Sequence, residues 1–312
     1  MSVTRRGFLA MLGAAGVLAA CGGDSGGEAA SSEDEGPEDG AAETPPESGG
    51  APTVLALGEE YLLADLLALG VRPIASTANV VLDEGFAGLD DVDTEGIVAL
   101  SSTEPNLEHL AGYRADVVVA NTFVVDYLGR EVLAGVGGEL VVVPDDHVER
   151  ILALGDTFDR RAEAEDLLAD LDQAIAAAAT ELNADGRILS VATVYPGSTV
   201  AAWVDGPIDV PDTLLAMGFT LRPGAADVDG EEGGRLYLSN EQLGLLDADT
   251  LVALQSDLVA GEPEALDDIA DDPLWSELPA VVGGNVVTID RLGYPGVAGR
   301  RRLVDDLVAG LG

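Results

Sequence analysis

Residues from Asp159 to Leu182 carry the feature that most constrains the fold. Leu168, Leu171, Ile175, Ala178 and Leu182 recur at spacings of three and four, one unbroken apolar stripe at helical period. Asp159 is placed to cap the start, and Glu163, Glu165 and Asp166 crowd the first turns, where the helix dipole favours acids. Asn183 and Gly186 supply C-terminal punctuation. A helix of this length spans roughly 36 Å, well beyond the usual globular helix. Stretches of like character flank it, with short Val/Leu/Ile-rich strands alternating with Ala/Leu/Asp/Glu helices. The pattern predicts two α/β lobes, residues 53–155 and 187–312, joined by a single long rigid helix within residues 156–186.

The N-terminal lobe reads as a βα series. Strands are expected at Thr53–Leu57, Arg72–Ser76, Gly96–Leu100, Ala115–Ala120 and Glu139–Val143. Helices are expected at Glu60–Leu69, Asn106–Ala111 with Pro105 at its first position, Tyr127–Leu133, and His147–Leu154 up to a break at Gly155. In the second lobe strands are expected at Arg187–Val194, Thr199–Val204, Arg235–Leu238, Thr250–Leu254 and Val286–Ile289. Helices are expected at Pro211–Met217, Asn240–Leu246, Glu264–Ile269 and Gly299–Leu311. Arg300, Arg301 and Arg302 fall on the first turns of the last helix, where the dipole disfavours cations; local acids or a partner must answer them.

Residues 1–52 do not read as fold. Thr4-Arg5-Arg6-Gly7-Phe8-Leu9 resembles a twin-arginine export motif, and the apolar run Phe8–Ala20 is too short for a membrane span. Leu18-Ala19-Ala20-Cys21 resembles a bacterial lipobox, so residues 1–20 are expected to be a signal peptide, with lipid on Cys21. Residues 21–52 form an acidic tether that, beyond Cys21 and Thr44, is made of Gly, Ser, Ala, Pro, Asp and Glu and cannot bury a core. As a coil of about 30 residues it reaches roughly 30 Å. The expected location is the extracytoplasmic face of the cell membrane, held through the lipid alone.

Charge excludes partners. The chain carries 57 acids against 15 basic residues, all arginine, for a net charge of −42. Nine acids and two arginines precede Ala51, so the remainder still carries 48 acids and thirteen arginines, net −35. A field of this sign excludes nucleic acid and anionic lipid surfaces as partners. A saline habitat and a lysine-poor codon bias both account for it. Cys21 is the only cysteine, so no intrachain disulfide is available.

No catalytic pattern emerges. There is no phosphate-binding loop and no lysine to build one, and no G-x-S-x-G elbow. Gly135-Val136-Gly137-Gly138 follows a helix and precedes a strand, the reverse of the dinucleotide order. Asp91-Val92-Asp93-Thr94-Glu95-Gly96 opens like a calcium loop, but its twelfth position is Ser102. Two histidines, His109 and His147, are too few for a multi-histidine metal site and read as ordinary polar residues.

Two segments match across the long helix. Glu104-Pro105-Asn106-Leu107-Glu108-His109-Leu110 and Ser239-Asn240-Glu241-Gln242-Leu243 each start a helix, carry a glutamate and hand over through Asp to a strand. Ser239 with Gln242 forms a capping box. Residue chemistry alone reads Glu108 and Glu241 as surface acids favoured by the dipole.

The ordered set of lipobox, acidic tether, Ala64-Asp65-Leu66-Leu67-Ala68-Leu69-Gly70-Val71, Glu104-to-Glu108, long helix, Ser239-to-Leu243 and Leu274-Trp275-Ser276-Glu277-Leu278-Pro279-Ala280-Val281 resembles the ABC-transporter substrate-binding proteins for ferric siderophores, haem and cobalamin. The resemblance covers almost all of Thr53–Leu311. It implies two Rossmann-like lobes joined by the rigid helix with the ligand held in the cleft between them, and a monomeric carrier, not an enzyme, that delivers a small-molecule metal chelate to an ABC permease and its ATPase. It implies that Glu108 and Glu241, one per lobe, dock onto the permease. It implies no resident cofactor, since iron would arrive already chelated.

Loops facing the cleft offer Tyr61, Phe86, Phe123 and Tyr127 from the first lobe, and Tyr195, Trp203, Arg222, Arg291 and Tyr294 from the second, as ligand contacts. The resemblance to hydroxamate binders implies an arginine and a tyrosine on the iron-bound oxygens, and Arg291 and Tyr294 are the expected pair, with no motif of their own. Trp275 reads as structural. With few cations available, a neutral or cationic ferric hydroxamate suits the chain better than a trianionic catecholate. Cobalamin and haem stay as alternatives, with Tyr61, Tyr195 or Tyr294 as a haem ligand. A surface-anchored α/β enzyme is the remote alternative.

Overall fold

The computed structural model describes residues 52–103, 105–204, 209–224 and 234–312. The expected signal segment, Cys21 and the tether lie outside them, apart from Pro52.

Five parallel strands build the first sheet: β1 (Val54–Leu57), β2 (Ala75–Ala78), β3 (Val98–Ser101), β4 (Val117–Asn121) and β5 (Glu139–Val143), in the order β3-β2-β1-β4-β5. Their connections carry α1 (Glu59–Ala68), α2 (Leu107–Gly112), α3 (Thr122–Leu128) and α4 (Arg130–Ala134). Strand order reverses between β1 and β4, and an open α/β sheet binds ligands at the strand C-termini beside such a switch point. The expected second strand, Arg72–Ser76, lies a few residues late, at β2. Pro105 precedes the cap: the Asn106 side chain accepts the His109 N–H at 3.1 Å and starts α2 itself. The expected single helix Tyr127–Leu133 is two short helices divided at Gly129.

The second sheet is mixed. It holds β6 (Ile188–Tyr195), β7 (Thr199–Trp203), β8 (Thr220–Leu221), β9 (Arg235–Leu238), β10 (Leu251–Gln255) and β11 (Val286–Asp290), in the order β11-β10-β6-β7-β9, with β8 beside β6. Pairs among β6, β8, β10 and β11 are parallel, whereas β7 runs antiparallel to both β6 and β9. Pro196-Gly197-Ser198 is too short to carry the crossover that a parallel neighbour requires, so β6 and β7 form a hairpin. Helices α7 (Asp209–Ala216), α8 (Glu262–Ile269), α9 (Pro273–Ser276) and α10 (Pro279–Gly283) and a 3-10 helix (Asn240–Leu245) complete this lobe. Trp275 is buried with Leu243 and Leu278 in this lobe's own core.

Between the lobes run α5 (His147–Thr157) and α6 (Arg161–Glu181), and α11 (Gly296–Leu311) closes the chain. The long helix α6 has 21 residues and buries Ala164, Leu171 and Ala178 along its stripe. Asp159 does not cap it. With φ 56° it is the left-handed residue that ends α5, and the Arg160 N–H reaches back to the Gly155 carbonyl at 2.7 Å, the Schellman closure. Gly155 is not a break either. It lies within α5, and a Cβ there would meet the Ala164 side chain and the Arg160 carbonyl at 3.0 Å, so glycine lets the two helices turn sharply on each other. At the far end Asn183 (φ 48°) makes the same closure, with the Ala184 N–H on the Ala179 carbonyl at 3.0 Å.

One core cluster crosses the whole molecule. It joins Val54, Leu62 and Val119 of the first lobe to Ile151 of α5 and Leu171 of α6, Leu189 and Val252 of the second lobe, and Leu303, Val304 and Leu307 of α11. Helix α11 packs on both α1 and α6. Its three arginines are answered locally: Arg300 by Asp209 and Asp212, Arg301 by Asp170 and Asp305, and Arg302 by the Gly88 and Gly293 carbonyls.

Candidate functional site: the cleft between the lobes

A cavity of about 890 Å³ lies between the lobes. Its first-lobe wall follows the sheet: Glu59, Glu60 and Tyr61 come just after β1, Asn79 just after β2, Phe123 after β4, and Asp145, Asp146 and His147 after β5. The second-lobe wall supplies Trp203, Asp209, Val210, Asp212, Leu215 and Leu254, followed by Arg291, Leu292, Tyr294, Pro295 and Arg300. Helix starts form the rim. Thr77 Oγ1 accepts the N–H groups of Gly58 and Glu59 at 3.0 and 3.1 Å at the head of α1. Asn121 accepts the Val124 N–H at 2.9 Å for α3, and Asp146 the Glu149 N–H at 2.9 Å for α5. The acids Glu59, Glu60, Asp146, Asp209 and Asp212 occupy helix starts whose partial positive charge would otherwise face the cavity.

Every arginine of the cavity wall is already engaged. Arg150, nearly buried, donates from Nε to Asp65 Oδ2 at 2.8 Å and from Nη1 to the Asp145 carbonyl at 2.6 Å, and lies 4.6 Å over the Tyr61 ring. Arg291 makes a two-pronged contact with the fully buried Glu262, with Nη2–Oε1 at 2.6 Å and Nε–Oε2 at 3.0 Å. Arg300 holds Asp209 at 2.8 Å and also Asp212. Against these three cations the described lining sets six carboxylates, so among the described residues it is net negative by three with His147 neutral.

Burial acts on the titrating groups. It raises the Glu59 carboxyl, with the nearby Glu60 charge adding to the effect and a hydrogen bond from Ser102 opposing it. Burial likewise raises Glu60, against hydrogen bonds from the Asn79 and Val80 N–H groups. His147 is lowered, by burial first and the Arg300 charge second, with Asp146 and Asp212 pulling the other way. The Tyr61 phenol is raised by burial, and Tyr294 by burial and then by its bond to Asp306 at 2.7 Å.

A second cavity of about 270 Å³ adjoins the first and shares Glu59, Asn79 and Phe123 with it. Leu57, Pro105, Val124, Tyr127 and Leu128 give it an apolar wall, with Thr77, Ser102 and Thr103 at its polar edge. Phe123 and Tyr127 stack with centroids 6.4 Å apart and planes within 2°. Both rings are largely exposed, at 64% and 65%.

Of the expected contacts, Tyr61, Phe123, Trp203, Arg291 and Tyr294 line the large cavity and Tyr127 the small one. Phe86 does neither. Its loop folds back over the sheet and buries the ring with Leu63, Ala78, Leu89 and Ile97, so it is core. Arg222 is exposed beyond β8, with Asp247 at 3.8 Å, and lines neither cavity. Tyr195 also lies outside both linings, with Arg235 Nη1 at 3.5 Å and the Tyr237 ring beside it. Arg291 and Tyr294 are not free to act alone on a ligand, since Glu262 and Asp306 hold them. His147, an ordinary polar residue by sequence, is half-buried in the cleft wall. Sequence reasoning missed Glu59, Glu60, Asp145, Asp146, Arg150, Asp209, Asp212 and Arg300. Their one signal was position just after a strand or at a helix start. Glu108 is exposed on the first turn of α2 and Glu241 on that of the 3-10 helix.

Comparison with known proteins comes down on one side. The family model described as periplasmic binding protein matches residues 55–291. No curated protein matches the chain in sequence. Among solved structures, Staphylococcus aureus SirA complexed with staphyloferrin B superposes with TM-score 0.68 at 21% identity, over 85% of this chain and 94% of that one. Bacillus subtilis FeuA, a triscatecholate siderophore binding protein complexed with ferri-bacillibactin, gives 0.68 at 19%, over 84% and 93%. Vibrio cholerae FhuD with Fe3+-Desferal gives 0.67 at 17%, over 84% and 98%. At these identities the likeness is one of fold.

Proposed function

The chain belongs to the periplasmic binding protein family, and on that footing we propose that it is the substrate-binding component of an ABC importer that captures an iron(III)-siderophore in the interlobe cleft. The cleft is of a size for one small ligand. The observation that carries the ligand type is charge. All three arginines of the described cavity wall are neutralised by their own carboxylates, and that lining is net negative. A trianionic ferric catecholate would meet acids with no cation to spare. A neutral or cationic ferric hydroxamate fits this wall. Haem and cobalamin are the competing ligands of the same class. Among the phenols of the cleft, Tyr61 accepts a hydrogen bond from Asn121 and Tyr294 donates one to Asp306, which argues against either as a ready haem ligand.

In this reading the protein changes no bond in its cargo. Phe123 offers an exposed apolar face to the chelate and the nearly buried Trp203 borders it, while Tyr61 and the clamped arginines fix the shape of the pocket. Glu108 and Glu241 present one carboxylate per lobe to the permease. Cys21 carries the lipid that holds the protein on the outer face of the cell membrane.

Tryptophan fluorescence tests it. Both tryptophans are buried, but Trp203 borders the cleft whereas Trp275 lies within the second lobe's core. A ferric hydroxamate should quench Trp203 saturably, the iron-free chelator should not, and Trp203→Phe should remove most of the response. At 100 times its dissociation constant the ligand also adds about 2.7 kcal/mol of stability, visible as a thermal shift. Saturation by a catecholate, haem or cobalamin in its place would reassign the ligand; silence across that panel would overturn the proposal.

A further inference from the structure

The small cavity beside the cleft has a composition of its own. Among the described residues Glu59 is the only charged side chain in its lining, and Leu57 and Val124 belong to its apolar wall. Phe123 and Tyr127 present open ring faces at its mouth. A pocket with an apolar wall, aromatic faces at one side and a carboxylate in its described lining suits an alkylammonium group: methylenes take the apolar wall, the cation takes the rings' negative faces and the carboxylate.

Glu59 is held in place for such a role. Its φ is 62°, a backbone region that L-residues other than asparagine and aspartate seldom occupy. The two N–H bonds to Thr77 Oγ1 fix it there, and Ser102 hydrogen-bonds its carboxyl. Strain of this kind persists where the surroundings over-determine it, and it concentrates at binding sites. Glu60, the next residue, spends its carboxylate on the Asn79 and Val80 N–H groups and has none to offer. Because the small cavity shares Glu59, Asn79 and Phe123 with the cleft, a chelate seated in the cleft can send an arm into it.

We propose that this side cavity takes the ammonium-ended alkyl arm of the chelate, with Glu59 as its counter-ion and Phe123 and Tyr127 as its cation-facing walls. The assignment rests on the siderophore reading above. It goes further by naming a cationic arm as the feature that the site selects.

Titrations of the full chain with two probes test it: ferrioxamine B, a linear ferric trihydroxamate ending in a primary ammonium, and its N-acetylated, uncharged counterpart. The quantity read is the ratio of the two affinities. The wild-type protein should prefer the ammonium form by about tenfold, one partly buried charge-assisted contact. Glu59→Gln, which keeps shape and hydrogen-bonding capacity, should bring the ratio close to one, and Tyr127→Leu should lower it while leaving the apolar wall. Equal binding of both probes by the wild-type protein, or a ratio unmoved by Glu59→Gln, would overturn the side-cavity assignment and leave the siderophore reading standing. Binding of neither probe would bring down that reading and the assignment with it.

Discussion

Asp65 and Arg150 form a salt bridge at the wall of the cleft: Nε to Oδ2 is 2.8 Å, the aspartate side chain is wholly buried and the arginine 5% exposed. The other oxygen of Asp65 accepts the Val297 N–H at 2.8 Å, at the head of α11. One carboxylate thus ties α1 and α5 to the closing helix. Gly296, with φ 69°, makes room for it, since a Cβ there would lie 2.6 Å from Asp65 Oδ1. Asp65→Asn keeps the acceptor for Val297 but turns an N–H donor toward Arg150 and strands that cation in the interior. The expected loss is about 3–5 kcal/mol of unfolding free energy. The double variant Asp65→Asn/Arg150→Met, which removes the buried charge as well, should recover part of it. Urea unfolding of both variants checks this, and a double variant no more stable than the single one would contradict it.

The raised Glu59 carboxyl predicts a pH dependence whose sign is opposite to that of a salt-bridged acid. Its ordinary value is 4.5 and the folded value is higher, because burial and Glu60 disfavour the charge. Between the two values the native state holds a proton that the unfolded chain has released, so stability rises as pH falls through that window. Above the folded value the penalty of the buried charge is present in full; below 4.5 it is gone. Glu59→Gln removes the penalty, so the variant should exceed the wild-type protein in stability near neutrality and lose that advantage as pH approaches 4.5. Thermal unfolding across pH 4.5–7.5 measures the difference. An advantage that is constant with pH would show that charge is not its cause.

Much of the framework was legible because it is local. The Val117-Val118-Val119 run, the three-and-four spacing of α6 and the Asn183 closure each depend on a few adjacent residues. The cleft chemistry was not legible, because its partners are far apart in sequence. Arg150 meets Asp65 across 85 residues, Arg300 meets Asp209 across 91, and Val297 meets Asp65 across 232. Sequence could mark Arg291 as a scarce cation but not that Glu262 had already claimed it. Phe86 misled for a related reason: an aromatic residue in a predicted loop looks available, but this loop lies over Leu63 and Ala78. Asp159 misled because a residue that ends one helix in the left-handed region occupies the place where a cap for the next is expected.

Glu108 and Glu241 stand exposed on helix starts in different lobes, with neither in a cavity wall. Two charges at fixed points on a stiff body steer encounter and set orientation more than they add affinity. Glu108→Ala with Glu241→Ala should leave the chelate dissociation constant within about twofold and lower radioiron uptake by cells that carry the importer. Uptake at the wild-type rate would return both residues to the role of solvated helix-start acids.

The last prediction concerns motion. A carrier with a flexible hinge compacts around its cargo, but here the main core cluster runs unbroken through both lobes, and α11 packs on α1 as well as α6. Arg302 of α11 donates to the Gly88 carbonyl of the first lobe at 2.7 Å, and Asp65 holds the start of the same helix. Wide separation of the lobes would bring Leu303, Val304 and Leu307 toward water at roughly 1.5–3 kcal/mol for each fully exposed side chain, before the Asp65 contacts are counted. Loading should therefore reshape side chains and loops in the cleft and leave the lobes in place. X-ray scattering from the free and ferric-hydroxamate-loaded protein should give superimposable curves. A clear fall in the radius of gyration on loading would mean that the lobes open and close despite the shared core, and that α11 must slide or detach to let them.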